Sequence, residues 1–390
     1  MTSKVTHMAD GILNQLKSSE EEMLDFLGKL VSLESPSRDP KSQYQILKFI
    51  GEALQELGFY TLQVPGKETG GFLYARPKNR DKNKALQLMI GHCDTVWERD
   101  TLKEMPLTKD GAIMSGPGIY DMKAGLTQII FALKAIDKLN LSLPLTPVIL
   151  INSDEEIGSK ESRKAIERLA KVCERAYVME PPLGLKGKLK TARKGLGRFT
   201  ITVKGKAAHA GLDPQKGASA IVELSHQVQQ LYAMNDFDKG ITVNVGMIEG
   251  GVSPNVIAPE SKAVVDVRVL NKKDGEQITK RILALKPTLP EVEVHIEGGI
   301  GRPPMEHTPG NRMLWKLAKA NGALLGLDLE EATAGGGSDG NTTSLYTATL
   351  DGLGTTGDGA HAQHEHILLD EFPVRTALLA LLMLAEVGDN

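Results

Sequence analysis

In the stretch ALQLMIGHCD, residues 85–94, an apolar segment runs directly into a histidine and an acid. Two later segments have the same form, because residues 148–151 lead to the acids at 154–156 and residues 176–179 lead to Glu180. In an open α/β sheet, ligands bind beyond the carboxyl ends of the strands. We therefore expect these side chains to meet at one edge of a sheet, where histidine and carboxylates together predict a metal site.

The spacing inside each cluster indicates separate roles. His92 and Asp94 lie two residues apart at a strand end, so their side chains share a face and Asp94 can accept the second N–H of His92. In the adjacent pair Glu155 and Glu156, one carboxylate can bind metal while the other takes a proton from water. A structural metal site does not need that second carboxylate, so the pair predicts catalysis.

A glycine-rich loop supplies a further acid. The stretch SGPGIYDMKAG, residues 115–125, precedes an amphipathic run at 126–139 that predicts a helix. Two metal ions roughly 3.5–4 Å apart need a bridging carboxylate, for which Asp121 is the candidate. Near the C-terminus, GAHAQHEH at 359–366 supplies imidazoles, one of which should complete the site.

Composition narrows the class of protein. A chain of 390 residues with 41% hydrophobic residues can form two domains, and a formal net charge of -3 argues against a nucleic-acid partner. The N-terminus lacks the apolar segment of a signal peptide, and no apolar run approaches the ~20 residues of a membrane span. We therefore expect a cytoplasmic protein without a membrane partner. Cys93 and Cys173 are too few for a disulfide framework, and Cys93 is expected in the core.

The order of predicted elements divides the chain. Up to about residue 190, helices and strands alternate. Strands at 197–204, 241–248, 262–270 and 292–296, with helices at 218–234 and 275–285, then form a β-α-β-β-α-β unit of the ferredoxin-like type. Helix–strand alternation returns after Arg302. We predict an α/β fold in which a mixed-sheet catalytic domain (1–192 and 304–390) carries an inserted α+β domain (193–303).

Five motifs together resemble a known family. They are GHCDTV (91–96), GIYDMKAG (118–125), DEEIGS (154–159), KGKAAHAG (204–211) and GGGSDG (335–340). Over nearly the whole chain they resemble the two-zinc metallopeptidases that include glutamate carboxypeptidase, acetylornithine deacetylase, succinyl-diaminopimelate desuccinylase and aminoacylase, and most of all the glutamate carboxypeptidase branch. The resemblance implies a zinc-exopeptidase-like catalytic domain, with the inserted domain as a lid through which a homodimer forms.

The resemblance also implies roles for individual residues. His92 and Glu180 each bind one zinc, Asp121 bridges both, Glu156 binds the zinc opposite that of His92, Glu155 is the general base, and Asp94 orients His92. The last ligand is His361, followed by the acid Glu365. The residues after His361 depart from the usual family pattern, so His364 stays open as a rival ligand.

Substrate contacts are implied on the inserted domain and near it. His209 would donate a hydrogen bond to the tetrahedral oxyanion, across a dimer interface in family members that dimerise. Arg268 would bind the free carboxylate of the substrate as a bidentate donor. Asn255 and the loop of Gly336, Gly337 and Ser338 would assist Arg268.

These features lead to three hypotheses of function. The first is a zinc-dependent hydrolase of the metallo-carboxypeptidase type, which cleaves an amide bond beside a free carboxylate by attack of a metal-bridged hydroxide, with Glu155 as general base. The second is an N-acyl amino acid deacylase similar to acetylornithine deacetylase. The third, a non-catalytic metal-binding scaffold, is disfavoured because Glu155 is present. We expect two Zn²⁺ ions, with Co²⁺ or Mn²⁺ as alternatives, and a small peptide or N-acyl amino acid as substrate.

Overall fold

The computed structural model describes residues 3–386, which divide into two compact units. Within those residues, the first unit ends at Thr191, resumes from His307 to Thr333 and continues from Ser338, whereas the second unit comprises Ala192–Glu306 and Ala334–Gly337. The roles predicted for a catalytic domain (1–192 and 304–390) and a lid (193–303) stay a prediction.

The helices and strands are numbered in chain order. The helices are α1 (Ser3–Ser18), α2 (Glu20–Ser32), α3 (Pro40–Glu56), α4 (Ala124–Lys138), α5 (Arg163–Ala170), α6 (Ala220–Tyr232), α7 (Lys272–Leu283), α8 (Pro309–Leu324), α9 (Asp339–Thr343) and α10 (Glu371–Leu384). The strands are β1 (Phe59–Val64), β2 (Phe72–Pro77), β3 (Leu86–His92), β4 (Thr108–Asp110), β5 (Ile113–Ser115), β6 (Thr146–Asn152), β7 (Cys173–Val178), β8 (Leu189–Arg193), β9 (Gly195–Lys204), β10 (Thr242–Gly250), β11 (Glu260–Val269), β12 (Glu293–Arg302), β13 (Glu331–Ala334), β14 (Ala348–Leu350), β15 (Gly357–Asp358) and β16 (His366–Leu368).

The central sheet of the first unit is mixed. Its strand order is β1-β2-β6-β3-β7-β14, in which β6, β3, β7 and β14 are parallel and β1 and β2 are antiparallel to their neighbours. Strand β6 is buried along its whole length, as expected for a parallel strand covered on both faces. The three strands that lead into the acidic and histidine motifs, β6, β3 and β7, are therefore neighbours, and the prediction of a mixed sheet is confirmed.

A second, smaller sheet in the first unit was not predicted. Strands β15, β16, β5 and β4 form it in that order, and β16 pairs with β5 so that His366 lies opposite Ser115. This pairing holds the histidine-rich C-terminal segment beside the glycine-rich loop that contains Asp121. Cys93 is fully buried, in agreement with its expected place in the core.

The second unit contains the β-α-β-β-α-β order expected from the sequence. Its sheet has the order β10-β11-β9-β12 and is antiparallel throughout, with α6 and α7 as its helices. Helix α7 begins at Lys272, earlier than expected, because the Asn271 side chain accepts a hydrogen bond from the Asp274 backbone and caps it. Strand β12 runs on to Arg302 through Gly298, where a Cβ would lie 2.1 Å from the Arg198 carbonyl oxygen.

No helix among residues 3–386 combines the length and the apolar character that a membrane span requires.

Candidate metal centre

The carboxyl ends of β3 and β7 contribute to a first group of possible metal ligands. His92 ends β3, and its Nε2 atom lies 3.2 Å from Asp121 Oδ1 and 3.5 Å from Glu180 Oε1. His92 and Glu180 are buried, and Asp121 is half-buried. One nitrogen and two carboxylate oxygens therefore converge on a single point.

A second group shares one member with the first. His361 Nε2 lies 3.2 Å from Glu156 Oε1 and 3.5 Å from Asp121 Oδ2, so the two oxygens of Asp121 face different groups. Within each group the ligand atoms lie within 4.8 Å of one another. The structure thus brings together the residues predicted as ligands, whose metal binding stays a prediction; His364 belongs to neither group among the described residues.

The chemistry of these residues fits divalent cations. Asp121 Oδ1 is buried and accepts no hydrogen bond, and its nearest cationic group is the His92 ring at 3.2 Å; a buried carboxylate oxygen of this kind is costly unless a cation compensates it. Imidazole and carboxylate ligands are the mixture that zinc and similar first-row ions accept. Two such ions, both bound by the Asp121 carboxylate, would be coordinated by all the side chains of the two groups.

The electrostatics of the centre also favour positive charge. Hydrogen bonds to Asp121 and Glu156 raise the pKa of His361 to about 10. Burial opposes protonation of His92, but the nearby carboxylates of Asp121, Asp94 and Glu180 raise its pKa well above the usual range. Burial would raise the pKa of Asp121, yet the two imidazoles hold it well below its ordinary value. Without metal, the carboxylates therefore keep both histidines protonated.

Asp94 acts on the centre differently from the prediction. His92 Nδ1 lies 2.9 Å from the backbone oxygen of Asp94 and 3.5 Å from its carboxylate, so the main chain is the closer partner. The carboxylate instead accepts hydrogen bonds from the backbone N–H groups of Glu155 and Glu156 and from Ser37 Oγ. The turn that follows β6 supplies the two backbone donors, so Asp94 orients His92 through its carbonyl and the 155–156 turn through its side chain.

A buried network of hydrogen bonds stabilises the same turn. Asp154 accepts hydrogen bonds from Ser162 Oγ at 2.5 Å and from the Glu161 backbone at 2.7 Å. Asp339 accepts hydrogen bonds from Ser159 Oγ at 2.5 Å and from Asn152 Nδ2 at 2.8 Å. Both ends of the segment that contains Glu155 and Glu156 are consequently fixed.

His209 lies on an exposed loop of the second unit. Its Nδ1 atom accepts hydrogen bonds from the backbone N–H groups of Gly211 and Leu212, at 3.1 and 3.2 Å. That nitrogen must therefore carry a lone pair, which places the proton of the neutral ring on Nε2. Asn255 adjoins this loop, because its carbonyl accepts the Ala210 N–H at 2.9 Å. His209 thus presents an N–H donor at Nε2.

Arg268 is ion-paired in the second unit. Its Nε and Nη2 atoms donate to both carboxylate oxygens of Asp266, at 2.7 and 3.1 Å, and its Nη1 donates to the Gly335 carbonyl at 3.2 Å. The neighbouring carbonyls of Gly336 and Gly337 accept hydrogen bonds from Arg193. Arg268 is therefore bound to the glycine loop through Gly335, and joint substrate binding by Arg268 and this loop stays a prediction.

Ser338 does not have the predicted role. Its side chain is fully buried, donates to Asp351 Oδ2 at 2.6 Å and accepts the Gly340 N–H as the cap of α9. A hydroxyl occupied in this way cannot contact a substrate carboxylate, so Ser338 is corrected to a helix cap.

Sequence reasoning named Glu365 without finding its contacts, and it missed Trp97. Trp97 Nε1 donates to Glu365 Oε2 at 2.8 Å, and Glu365 is fully buried. The two residues are separated by 268 positions, and no periodicity or short motif links them.

The chain is similar to known peptidases and deacylases. Residues 191–288 match the family model of the M20 peptidase dimerisation domain. Carboxypeptidase G2 from Pseudomonas sp. (strain RS-16) is 29% identical over 390 residues, covering 96% of this chain and 92% of the relative. Acetylornithine deacetylase from Myxococcus xanthus is 25% identical over 290 residues, covering 70% of this chain and 74% of the relative.

A solved structure supports the fold independently. The aminopeptidase PepT from Bacillus cereus ATCC 10987 superposes with a TM-score of 0.79 at 21% identity, covering 93% of this chain and 98% of that chain. The predicted fold class and the predicted family are both confirmed. With a match to the M20 peptidase dimerisation domain in its second unit and two groups of possible metal ligands in its first, the chain is similar to the M20 peptidases and is a metallopeptidase or amidohydrolase.

Proposed function

We propose that the protein is a zinc-dependent hydrolase of the metallo-carboxypeptidase type, which cleaves an amide bond beside a free carboxylate. This proposal rests on the position of Asp121. Its two carboxylate oxygens face two separate ligand groups, and the second group contains Glu156, the neighbour of Glu155. Similarity to carboxypeptidase G2 over 96% of the chain supports the choice of substrate class.

Five residues would hold two zinc ions: His92, Asp121 and Glu180 in one group, and Asp121, Glu156 and His361 in the other. When bound, such ions supply Lewis acidity, which polarises an amide carbonyl and lowers the pKa of water toward ~7.

Glu155 is the proposed general base. It follows Asp154 in the turn after β6, and the Asp94 carboxylate accepts its backbone N–H at 3.2 Å. A carboxylate at this position takes a proton from the attacking water and passes it to the leaving amine. His209 offers its Nε2–H to the oxyanion of the tetrahedral intermediate, and in a homodimer formed through the second unit it would come from the partner subunit.

Arg268 is proposed to bind the free carboxylate of the substrate, assisted by Asn255, Gly336 and Gly337. Its pairing with Asp266 leaves Nη1 turned toward the glycine loop through Gly335. A guanidinium is the side chain best matched to a carboxylate, because two parallel N–H groups can meet its two oxygens.

A cavity beside Glu156 is the proposed place for the acyl side of the substrate. It has a volume of about 350 Å³, and its walls include Val96, Ile157, Arg38 and Arg99, together with the acids Glu98, Glu156 and Asp39, the last of which is paired with Arg99. Apolar side chains beside cations would accept a partly apolar acyl group. This is the part of the site in which a carboxypeptidase and a deacylase would differ.

The test is amine release by the zinc-loaded protein from a panel of C-terminal glutamate amides, dipeptides and N-acetyl amino acids. Chelator-treated protein serves as the blank. Metal-dependent turnover confined to the amides and dipeptides is the expected result. Turnover of the N-acetyl amino acids alone would instead favour the second candidate, a deacylase, which the similarity to acetylornithine deacetylase supports.

A further inference from the structure

Glu365 is fully buried and lies in the chain between His361 and strand β16, and its carboxylate accepts four hydrogen bonds, three of them from the loop that contains Asp121. We propose that Glu365 is a positioning residue, whose carboxylate fixes the loop that presents Asp121 to both metal ions. This inference rests on the proposed metal centre and deepens it.

Each oxygen of the Glu365 carboxylate accepts two N–H groups. Oε2 accepts Trp97 Nε1 at 2.8 Å and the Gly118 backbone at 2.9 Å. Oε1 accepts the backbone N–H groups of Tyr120 and Asp121, both at 3.0 Å. The Glu365 carboxylate therefore accepts three backbone N–H groups of the Asp121 loop and the indole N–H of Trp97.

Within the loop, the Ile119 N–H donates to the Gly116 carbonyl and the Lys123 N–H to the Gly118 carbonyl, whereas the N–H groups of Gly118, Tyr120 and Asp121 donate to Glu365. Gly118 has a positive φ of 71°, and Asp121 has φ -113° and ψ 97°, outside the helical region. The N–H groups of such residues have no partner in a regular helix or strand, and burying them without an acceptor is unfavourable. Helix α4 begins only at Ala124 and does not supply acceptors for these N–H groups; Glu365 supplies them instead.

The same residue also restrains His361. The segment between them is a tight loop, in which the Glu365 N–H donates to the Ala362 carbonyl at 3.0 Å and the Ala362 N–H donates to the Gly359 carbonyl at 2.8 Å. Gly359 has φ 82°, and a Cβ there would lie 2.8 Å from the backbone nitrogen of Glu365. Glu365 therefore couples two ligands of the second group, Asp121 directly and His361 through the chain.

Glutamine cannot replace this carboxylate. The amide of Glu365→Gln has nearly the same shape, but its NH₂ group would face two N–H donors in either orientation, because both oxygens of the native side chain accept two. Loss of a partner that orients a metal ligand typically weakens metal affinity 10–100-fold. We expect a loss of that size for Zn²⁺ in Glu365→Gln.

Glu223→Gln is the matched control. Glu223 is also fully buried and accepts backbone N–H groups, from Thr288 and Leu289, but it belongs to the second unit and to neither metal group. Its replacement should lower thermal stability without changing metal affinity. A purely structural role of Glu365 would make both variants behave alike.

The experiment titrates metal-free wild type, Glu365→Gln and Glu223→Gln with Zn²⁺ against a competing chelator dye, and records the visible absorption of the Co²⁺-loaded proteins. A weakened affinity and an altered Co²⁺ spectrum in Glu365→Gln alone are expected. Wild-type affinity in folded Glu365→Gln would overturn the proposal. Failure of the wild type itself to bind either ion would contradict the metal centre, which is a separate result.

Glu365→Asp covers the case in which Glu365→Gln does not fold. Aspartate keeps the charge but withdraws it from the loop by one methylene group, so a smaller loss of Zn²⁺ affinity is expected. Unchanged affinity in folded Glu365→Asp would then reject the positioning role.

Discussion

At the scale of single residues, Glu155 and Glu156 are chemically identical neighbours in different surroundings. Glu156 lies 3.2 Å from His361 in a ligand group, whereas Glu155 belongs to neither group among residues 3–386. The sequence predicts that these two adjacent carboxylates have different roles, one as a metal ligand and the other as a general base. It could not predict that Ser338 is buried or that Asp94 binds a turn, because those contacts depend on residues far away in the chain.

Glu155→Gln should lower kcat by ~10²–10⁴, the usual contribution of a general base, while both metal ions stay bound. Glu156→Gln is the comparison, because it removes a ligand and should lose metal. Steady-state rates and metal content measured on both variants check the assignment. Full activity in Glu155→Gln would reject it.

Metal binding should release protons. In the metal-free protein the pKa of His361 is about 10, so its ring is protonated at pH 7 and must lose that proton to bind an ion. Zinc affinity should therefore rise with pH up to about 10. The stabilisation that protonated His361 gives the metal-free fold is complete below its unfolded pKa of ~6.5 and is lost as pH rises through the folded value.

Calorimetric titration with Zn²⁺ in buffers of different ionisation enthalpy measures that proton release. A pH-independent affinity between pH 6 and pH 9 would contradict the charge state inferred for His361.

Arg268→Ala should reduce kcat/KM for substrates with a free carboxylate far more than for the same substrates capped as amides. The reason is that the guanidinium is proposed to contact only the carboxylate. Kinetics on each capped and uncapped pair measure the difference. An equal loss on both members of a pair would instead mean that Arg268 serves the fold through Asp266 and Gly335.

At the scale of secondary-structure elements, the predictable part of the fold is its buried strands. β3, β6 and β7 were expected within a few residues, because parallel strands buried on both faces are continuous apolar runs. The small sheet of β15, β16, β5 and β4 was missed. Its strands have two or three residues each, too few for a pattern, and β16 lies some 250 positions from β5.

Asp94→Asn should destabilise the turn after β6. Each carboxylate oxygen accepts a backbone N–H, from Glu155 or Glu156, so an amide leaves at least one donor facing NH₂. The expected cost in free energy of unfolding is ~1–3 kcal/mol, measured by urea denaturation of the metal-free protein. Ser37→Ala, which removes one hydroxyl donor to Asp94, should cost less; equal stability of Asp94→Asn and wild type would exclude this role.

At the scale of the whole molecule, the second unit carries the matched dimerisation domain and an exposed edge strand. β10 is at the edge of its sheet, and Met247 and Ile248 on it are 58% and 60% exposed. Unpaired edges with apolar side chains favour pairing with another chain. The element order of the second unit was predicted from the sequence; this edge exposure was not.

Ile248→Lys should convert a dimer into a monomer, because a charged side chain blocks strand pairing at an edge. Light scattering after size-exclusion chromatography measures the change, with Leu185→Lys, an exposed position of the first unit, as control. If His209 acts across the interface, the monomer should keep its metal and lose turnover. A monomeric wild type would remove the basis for that role.

The discontinuity of the first unit has a consequence for synthesis on the ribosome. The continuous part of the second unit, Ala192–Glu306, leaves the ribosome before β14 exists to complete the central sheet of the first unit. At ~5–20 residues per second, the interval from Glu306 to Ala348 is roughly 2–8 s, during which the nascent first unit has an open sheet edge at β7. The metal centre comes later still, because His361 and Glu365 follow β14. A nascent chain thus acquires its affinity for metal after most of its fold is in place.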